Sequence, residues 1–329
     1  MHILLLGGGW SDEREVSLAG ARAIHAALLE LGHRVTFLDP GCELNRLPQA
    51  AAEADFAFLN LHGKPGEDGL LQGLLEAVGC PYQGAGPGGS ALALNKAASK
   101  SLFSSAGILT PRWEFLPGPP EDGWTSGVGF PAFLKPNTGG SSLGIAMVAD
   151  ETELHWRLEE RFALKEEVLL EERIDGLEVT CAVLGHEALP PVLIRPPSQA
   201  GFFDYSSKYT PQGAEELCPA PLDDSLLHSV TEIALKVHRL LGLSGYSRTD
   251  FLYDGKALYA LEVNTLPGMT ETSLLPLAAR THGYSFPELV AKIIELGMSR
   301  ADRSEVQPES GLSLHAQAPM NQSQRGVGL

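Results

Sequence analysis

The chain has 329 residues, enough for two or three domains with ample core, and an ordinarily globular composition with 43% hydrophobic residues. Lysine and arginine number 24 against 41 aspartates and glutamates, and the resulting charge of −17 argues against a nucleic-acid or anionic-membrane surface. Cys42, Cys80, Cys181 and Cys218 are scattered without zinc spacing, which fits free thiols in a reducing compartment.

Ile3-Leu4-Leu5-Leu6 reads as a short buried strand stopped by Gly7-Gly8-Gly9. Met1-His2 leads straight into it, so no signal peptide is expected, and no window approaches a membrane span. A cytoplasmic location is the expectation. A helix follows with Ser11 as N-cap and acids in its first turn, and Arg34–Leu38 supplies the next strand of a βαβ unit. The glycines lack the full dinucleotide spacing, because Ser11 and Asp12 fill its later positions. Glu15 falls near the edge of the sheet where open α/β folds place ligands, although a solvated first-turn acid is the simpler local reading.

Phe56–Leu59 is a third strand running into Asn60-Leu61-His62-Gly63, a loop whose histidine is either functional or bonded to backbone. Gly84–Gly89 marks a boundary, and residues 90–106 read as one helix with Lys96 and Lys100 on one face. Phe130–Pro136 is a strand ending in Lys135. The segment after it, Asn137–Gly144, offers backbone NH groups and hydroxyls to phosphates, or serves as a plain hairpin turn. Glu151–Phe162 is an amphipathic helix. Val168–Leu170 and Glu178–Leu184 read as hairpin partners across Asp175-Gly176. Phe202–Tyr209 reads as a polar, lid-like loop, and 222–241 as a long helix.

Tyr246–Leu252 and Leu258–Asn264 then read as two strands, with Arg248 and Asp250 on one face of the first and Glu262 and Asn264 on one face of the second. If they pair, two carboxylates and an amide oxygen converge beside an arginine, a hard oxygen set suited to Mg2+ rather than zinc. Any one of these alone would be an ordinary polar residue on a wet sheet face. Two closing helices follow, and beyond Ser299 the chain turns polar and loses periodicity, so disorder is expected there.

In order, Ser11–Ser17, Leu61-His62-Gly63 with Gly66–Gly69, Lys135-Pro136 with Gly140–Gly144, Tyr205–Tyr209, Ser247–Asp250, and Glu262–Thr265 through Gly268-Met269-Thr270 resemble the D-alanine–D-alanine ligases of the ATP-grasp fold. The resemblance spans residues 1 to about 298. It implies an α/β chain of three domains: a parallel-sheet βαβ domain (1–89), a central ATP-grasp part (90–180) and a C-terminal part (181–299), then a tail (300–329). ATP would lie between the second and third. The activity implied joins two D-alanines through a D-alanyl phosphate, for peptidoglycan precursor synthesis.

By the same resemblance, Lys96, Lys135 and Lys208 meet phosphates, with Ser141 in the loop that closes over them. Glu171 and the Ile174 backbone meet the adenine, and Glu178 the ribose. Asp250, Glu262 and Asn264 hold two Mg2+ ions, for which Mn2+ could substitute. Glu15 binds the ammonium of the first D-alanine with His62 nearby. Arg248 and the Gly268 backbone sit at the reacting oxygens, and Ser273 and Leu274 at the second carboxylate. Tyr209 joins Glu15 and Ser141 in a hydrogen-bonded set that favours the dipeptide over a D-lactate ester. A homodimer is the expected assembly. Another ATP-grasp ligase, a nicotinamide-dependent oxidoreductase and a silent nucleotide binder remain the alternatives.

Overall fold

Three apolar runs near the N-terminus form β1 (His2–Gly7), β2 (Arg34–Leu38) and β3 (Phe56–Asn60). The computed structural model of the chain describes residues 1–139, 144–195 and 215–304, the last four by backbone alone. The strands pair in parallel in the order β2-β1-β3, with Ile3 opposite both Val35 and Phe56. All of β3 and all but the first residue of β1 are buried, as continuous apolar strands in a covered parallel sheet should be.

Helix α1 (Arg14–Glu30) starts three residues beyond Ser11, which is not its cap. The reason is the turn before it. Gly8 and Gly9 have positive φ and wrap around Asp39, whose Oδ1 accepts from the Gly9 and Gly41 amides at 2.8 Å each, while Arg14 pairs with its other oxygen. A side chain on Gly8 would collide with that carboxylate. The glycine turn therefore encloses an acid of the chain itself, which removes the structural motive for a dinucleotide there.

Two short helices, α2 (Pro40–Glu43) and α3 (Leu47–Ala52), lead back to β3, and α4 (Leu70–Ala77) follows it. The single helix expected over 90–106 is two: α5 (Pro87–Leu94) and α6 (Lys96–Ser105). Asn95 divides them. Its backbone is extended, and its side chain accepts from the Ala98 amide at 2.9 Å to cap α6.

An antiparallel sheet in the order β4-β7-β5-β6 comes next, built from β4 (Trp113–Leu116), β5 (Ala132–Pro136), β6 (Ala146–Val148) and β7 (Val168–Glu172), with α7 (Glu151–Ala163) against it. The larger antiparallel sheet runs β11-β10-β8-β12-β13 with β9 beside β8. Its strands are β8 (Leu177–Leu184), β9 (Glu187–Ala188), β10 (Val192–Arg195), β11 (Glu215–Leu217), β12 (Tyr246–Tyr253) and β13 (Leu258–Asn264). Thus β7 and β8 are not hairpin partners. Asp175-Gly176 instead crosses between two sheets, and Gly176 passes so close to the Tyr253 carbonyl that a Cβ would not fit.

Helix α8 (Asp224–Leu240) covers the larger sheet, with Asp223 accepting from the Leu226 amide at its start. The closing helices α9 (Leu274–His282) and α10 (Phe286–Ser304) return to the N-terminal sheet: Leu289, Val290, Ile293 and Ile294 share one core with Ile3, Leu5, Phe56 and Phe58. Helix α10 runs past the break expected at Ser299, and the remainder of the expected tail lies outside the described residues. No helix among the described residues is long and apolar enough to cross a membrane.

Candidate active site

The two polar strands pair antiparallel as their pattern predicts, with Arg248 opposite Asn264 and Asp250 opposite Glu262. A register shift follows Asp250, so the polar quartet stands at the regular end of the ladder. Asp250 is buried and its carboxylate is fully engaged. Arg248 donates to both oxygens at 2.8 Å, Thr180 donates to Oδ1 at 2.5 Å, and the Asn264 amide donates to Oδ2 at 3.1 Å. Such bidentate pairing fixes the guanidinium plane as well as its charge.

Glu262 extends from the same face toward α6, where Lys96 Nζ lies 3.2 Å from its Oε2. Lys96 also donates to the Gly139 carbonyl at 2.6 Å. The ammonium therefore ties the carboxylate to the first residues of the glycine-rich segment. Asn137, fully buried, anchors that segment from below. Its carbonyl accepts from Lys96 N at 3.0 Å, its side-chain oxygen from Ala97 N at 2.9 Å, and its amide donates to Glu167 at 3.0 Å.

Deeper in the smaller sheet, Glu171 on β7 lies between two ammoniums, Lys135 from β5 on one oxygen and Lys100 from α6 at 2.5 Å on the other. Lys100 donates to Thr110 Oγ1 at 2.6 Å as well. Desolvation pushes the Glu171 carboxyl upward, but the flanking ammoniums hold it below the ordinary range. Burial pulls Lys100 down against the attraction of Glu171. Ile174 is half-buried in the crossing after β7, and Glu178 is half-buried on β8 opposite Leu252.

From the N-terminal sheet, the loop after β3 brings His62 and Glu67 to the same region, and both are buried. Glu67 accepts from Gly63 N at 2.8 Å and from Leu266 N at 3.3 Å, joining the loop after β3 to the one after β13. Burial raises its pKa to about 7, and the nearby Glu13 carboxylate adds to the rise while Arg248 opposes it. Burial lowers the His62 pKa, with Arg248 adding to the fall and Glu13 opposing it, so the imidazole is neutral at neutral pH. Glu15 itself is exposed in the first turn of α1. It is Glu13, two residues earlier, that is buried beside His62.

Beyond Leu266 the chain turns through Gly268 to α9. Ser273 Oγ accepts from the Thr270 amide at 3.0 Å and lies where a Cβ on Gly268 would come within 2.7 Å of it, so only glycine fits. Ser273 and Leu274, at the start of α9, are half-buried.

The structure thus brings Lys96, Arg248, Asp250, Glu262 and Asn264 into one cluster, with Lys135 and Glu171 in the adjoining sheet. Ser141, Lys208 and Tyr209 lie outside the described residues. Lys100, Asn137, Glu13 and Glu67 were not singled out as site residues in the sequence. Lys100 had a signal, its i,i+4 relation to Lys96, whereas the burial of Glu67 depends on a contact with Leu266 far along the chain. Among the described residues no three histidine, cysteine or acidic side chains form a metal cluster. The set of Asp250, Glu262 and Asn264, two carboxylates and an amide, fits a hard, oxygen-seeking cation such as Mg2+ or Mn2+ rather than zinc.

An antiparallel sheet and a larger sheet that carries paired carboxylates, linked by buried lysines on the helix between them, define the ATP-grasp class. The pattern described as D-ala D-ala ligase C-terminus matches residues 104–295, and D-ala D-ala ligase N-terminus matches residues 42–85. The D-alanine–D-alanine ligase of Nitratidesulfovibrio vulgaris is 58% identical over 304 residues, covering 92% of this chain and 100% of the relative. That of Oleidesulfovibrio alaskensis is 59% identical over 300 residues, 91% of this chain and 97% of the relative. The solved D-alanine–D-alanine ligase from Bacillus anthracis complexed with ATP superposes with a TM-score of 0.82 at 33% identity, over 92% of this chain and 99% of that one. The chain belongs to the D-alanine–D-alanine ligase family.

Proposed function

We propose that the protein is an ATP-dependent ligase that joins two D-alanines into D-alanyl-D-alanine, a building block of the bacterial cell wall. The observation that carries the reading is the Asp250–Glu262–Asn264 oxygen set on paired strands, with Arg248 on one side and Lys96 on the other. ATP as the nucleotide is supported by the B. anthracis ligase, which was solved as a complex with ATP.

A carboxylate is a poor electrophile, so the first D-alanine needs activation. Its carboxylate oxygen attacks the γ-phosphorus of ATP, the bond to ADP breaks, and an acyl phosphate forms. The neutral amine of the second D-alanine then attacks the carbonyl carbon. The tetrahedral centre collapses with loss of phosphate, and the nitrogen gives up its proton. When bound at Asp250, Glu262 and Asn264, Mg2+ supplies charge neutralisation for the phosphoryl group. Lys96 and Lys135 hold phosphate oxygens, as Lys208 does by sequence. The Glu171 strand and Ile174 backbone face the adenine, and Glu178 the ribose.

Arg248, fixed in plane by Asp250, stabilises the oxyanion of the tetrahedral centre together with the Gly268 amide. Its charge is preorganised, because both of its carboxylate contacts are made within β12. Glu13, buried beside His62, takes the first ammonium in place of the exposed Glu15; His62 lies beside that substrate as a neutral imidazole, and Ser273 and Leu274 meet the second carboxylate. Ser141 and Tyr209 complete the set that closes the site against water, which would otherwise hydrolyse the acyl phosphate. Three functional parts, near 1–89, 90–180 and 181–299, a cytoplasmic location and a homodimer complete the proposal.

The test is ATP-dependent phosphate release with D-alanine, L-alanine and D-lactate supplied separately, with product masses read alongside. Release with D-alanine alone, and the mass of the dipeptide, is the expected result. Release only with another acid would keep the ATP-grasp chemistry and overturn the substrate.

A further inference from the structure

Lys100 is almost fully buried, at 1% side-chain exposure, yet none of the chemistry above uses it. It and Lys135 take opposite oxygens of one carboxylate, that of Glu171, which is itself 3% exposed. Burying three charges is expensive, and apolar residues of similar size would serve stability as well or better. The arrangement therefore calls for an electrostatic reason.

We propose that Lys100 is a positioning residue of the nucleotide site, neutralising Glu171 so that the charge of Lys135 remains available to the phosphates. The inference rests on the ATP-grasp reading and deepens it. The Lys100–Glu171 ion pair, 2.5 Å across, sums to no net charge. Lys135, with 13% of its side chain exposed, then carries an uncancelled positive charge beside the cleft. Without Lys100, Glu171 and Lys135 would cancel each other and the phosphates would meet a neutral pair. In a chain of net charge −17, such a local positive excess has to be built rather than inherited.

Thr110 is part of the device. Its hydroxyl accepts from Lys100 at 2.6 Å and holds the ammonium of this mid-helix lysine against the carboxylate. A lysine left to choose its own rotamer could follow Glu171 outward. Here it cannot.

The test uses the full chain and the variants Lys100→Met, Lys100→Arg and the double variant Lys100→Met with Glu171→Gln. Calorimetric titration with ATP and with ADP, in the absence of D-alanine, gives nucleotide affinity without turnover. Steady-state assays give KM for each substrate, and thermal melts report folding. Lys100→Met is expected to weaken nucleotide binding by about tenfold or more while KM for D-alanine stays within about twofold. Lys100→Arg should restore most of the loss. The double variant removes both buried charges and leaves Lys135 uncancelled, so it should bind ATP better than Lys100→Met; if the single variant does not fold, Thr110→Val, which removes the hydroxyl that holds the Lys100 ammonium, should weaken nucleotide binding by about threefold or more.

Unchanged ATP binding in a folded Lys100→Met protein would overturn the proposal. So would a double variant that binds nucleotide no better than the single one or, where Lys100→Met does not fold, a Thr110→Val protein with unchanged ATP binding. Wild-type dipeptide synthesis is scored separately, so failure of the ligase reading and failure of the Lys100 inference are distinguishable.

Discussion

The charges at the centre of the site are held by each other. Arg248 is clamped by Asp250, and Lys96 by Glu262 and the Gly139 carbonyl. Substituting Arg248→Met removes the donor at the developing oxyanion, and kcat is expected to fall by about a hundredfold or more with KM for ATP little changed. Steady-state kinetics check this, and a parallel loss in both parameters would place Arg248 in binding instead. Glu262→Gln keeps the shape of the site and removes one metal carboxylate. It should stay folded by circular dichroism while turnover is lost at ordinary Mg2+, and near wild-type kcat would remove Glu262 from the metal set. Glu67 gives a pH prediction. Its folded-state pKa of about 7 lies above that of an exposed glutamate, so the folded protein favours its protonated form. The stability this contributes is complete below about pH 4.5 and is lost as pH rises through 7, a change of about 3 kcal/mol. The charged groups around it are Glu13 and Arg248, whose fields act in opposite senses, and the neutral His62 imidazole lies in the same region. Urea denaturation across that range should show Glu67→Gln gaining on wild type as pH rises. Parallel curves would show that Glu67 titrates as an ordinary surface acid.

At the scale of elements, the site depends on how α6 is joined to the glycine-rich segment. Asn137 accepts from the first two amides of α6 through its carbonyl and its side chain, and Asn95 caps the same helix on the other side. Asn95→Ala should cost about 1 kcal/mol, the ordinary value of a lost cap. Asn137→Ala should cost about 2–3 kcal/mol, because it leaves the Ala97 amide and Glu167 without their buried partner. It should also raise KM for ATP, since Lys96 is carried on the same turn; a urea midpoint and an ATP titration on each variant separate the two effects. The paired strands β12 and β13 were legible in the sequence, down to which residues share a face, because period-two alternation sets the face and the polar residues interrupt otherwise apolar runs. The break at Asn95 was not, since residues 90–106 keep a helical pattern and only the tertiary contact with Asn137 favours an extended Asn95. Likewise Asp175-Gly176 is a turn whether its flanking strands pair or diverge, and the divergence is decided by strands far along the chain, β12 taking β8 and β5 taking β7. Lys100 and Glu171 are 71 positions apart, so their pairing carries no local signature at all.

For the molecule as a whole, the order of folding units does not follow the order of the sequence. The parallel sheet uses residues 2–60, yet its core is completed by Leu289, Val290, Ile293 and Ile294 on α10, with Leu275 and Ala278 on α9. Each of the four α10 side chains is 5% exposed or less, and burying such residues contributes about 1.5–3 kcal/mol apiece. Together that approaches the whole net stability of a typical domain, about 5–15 kcal/mol. A fragment of residues 1–89 therefore lacks a wall of its core and is expected not to fold alone, although its composition is that of a βαβ domain. Circular dichroism of that fragment with a urea titration decides it: a non-cooperative, largely unfolded trace is the expected outcome, and a sharp cooperative transition would show an autonomous N-terminal domain. The consequence reaches the site. His62 and Glu67 sit on the loop after β3, and the Leu266 amide sits on the loop after β13. The return of α9 and α10 onto the N-terminal sheet presses those two loops together, so the side chains that would meet the first D-alanine are held in place by the end of the chain that would meet the second.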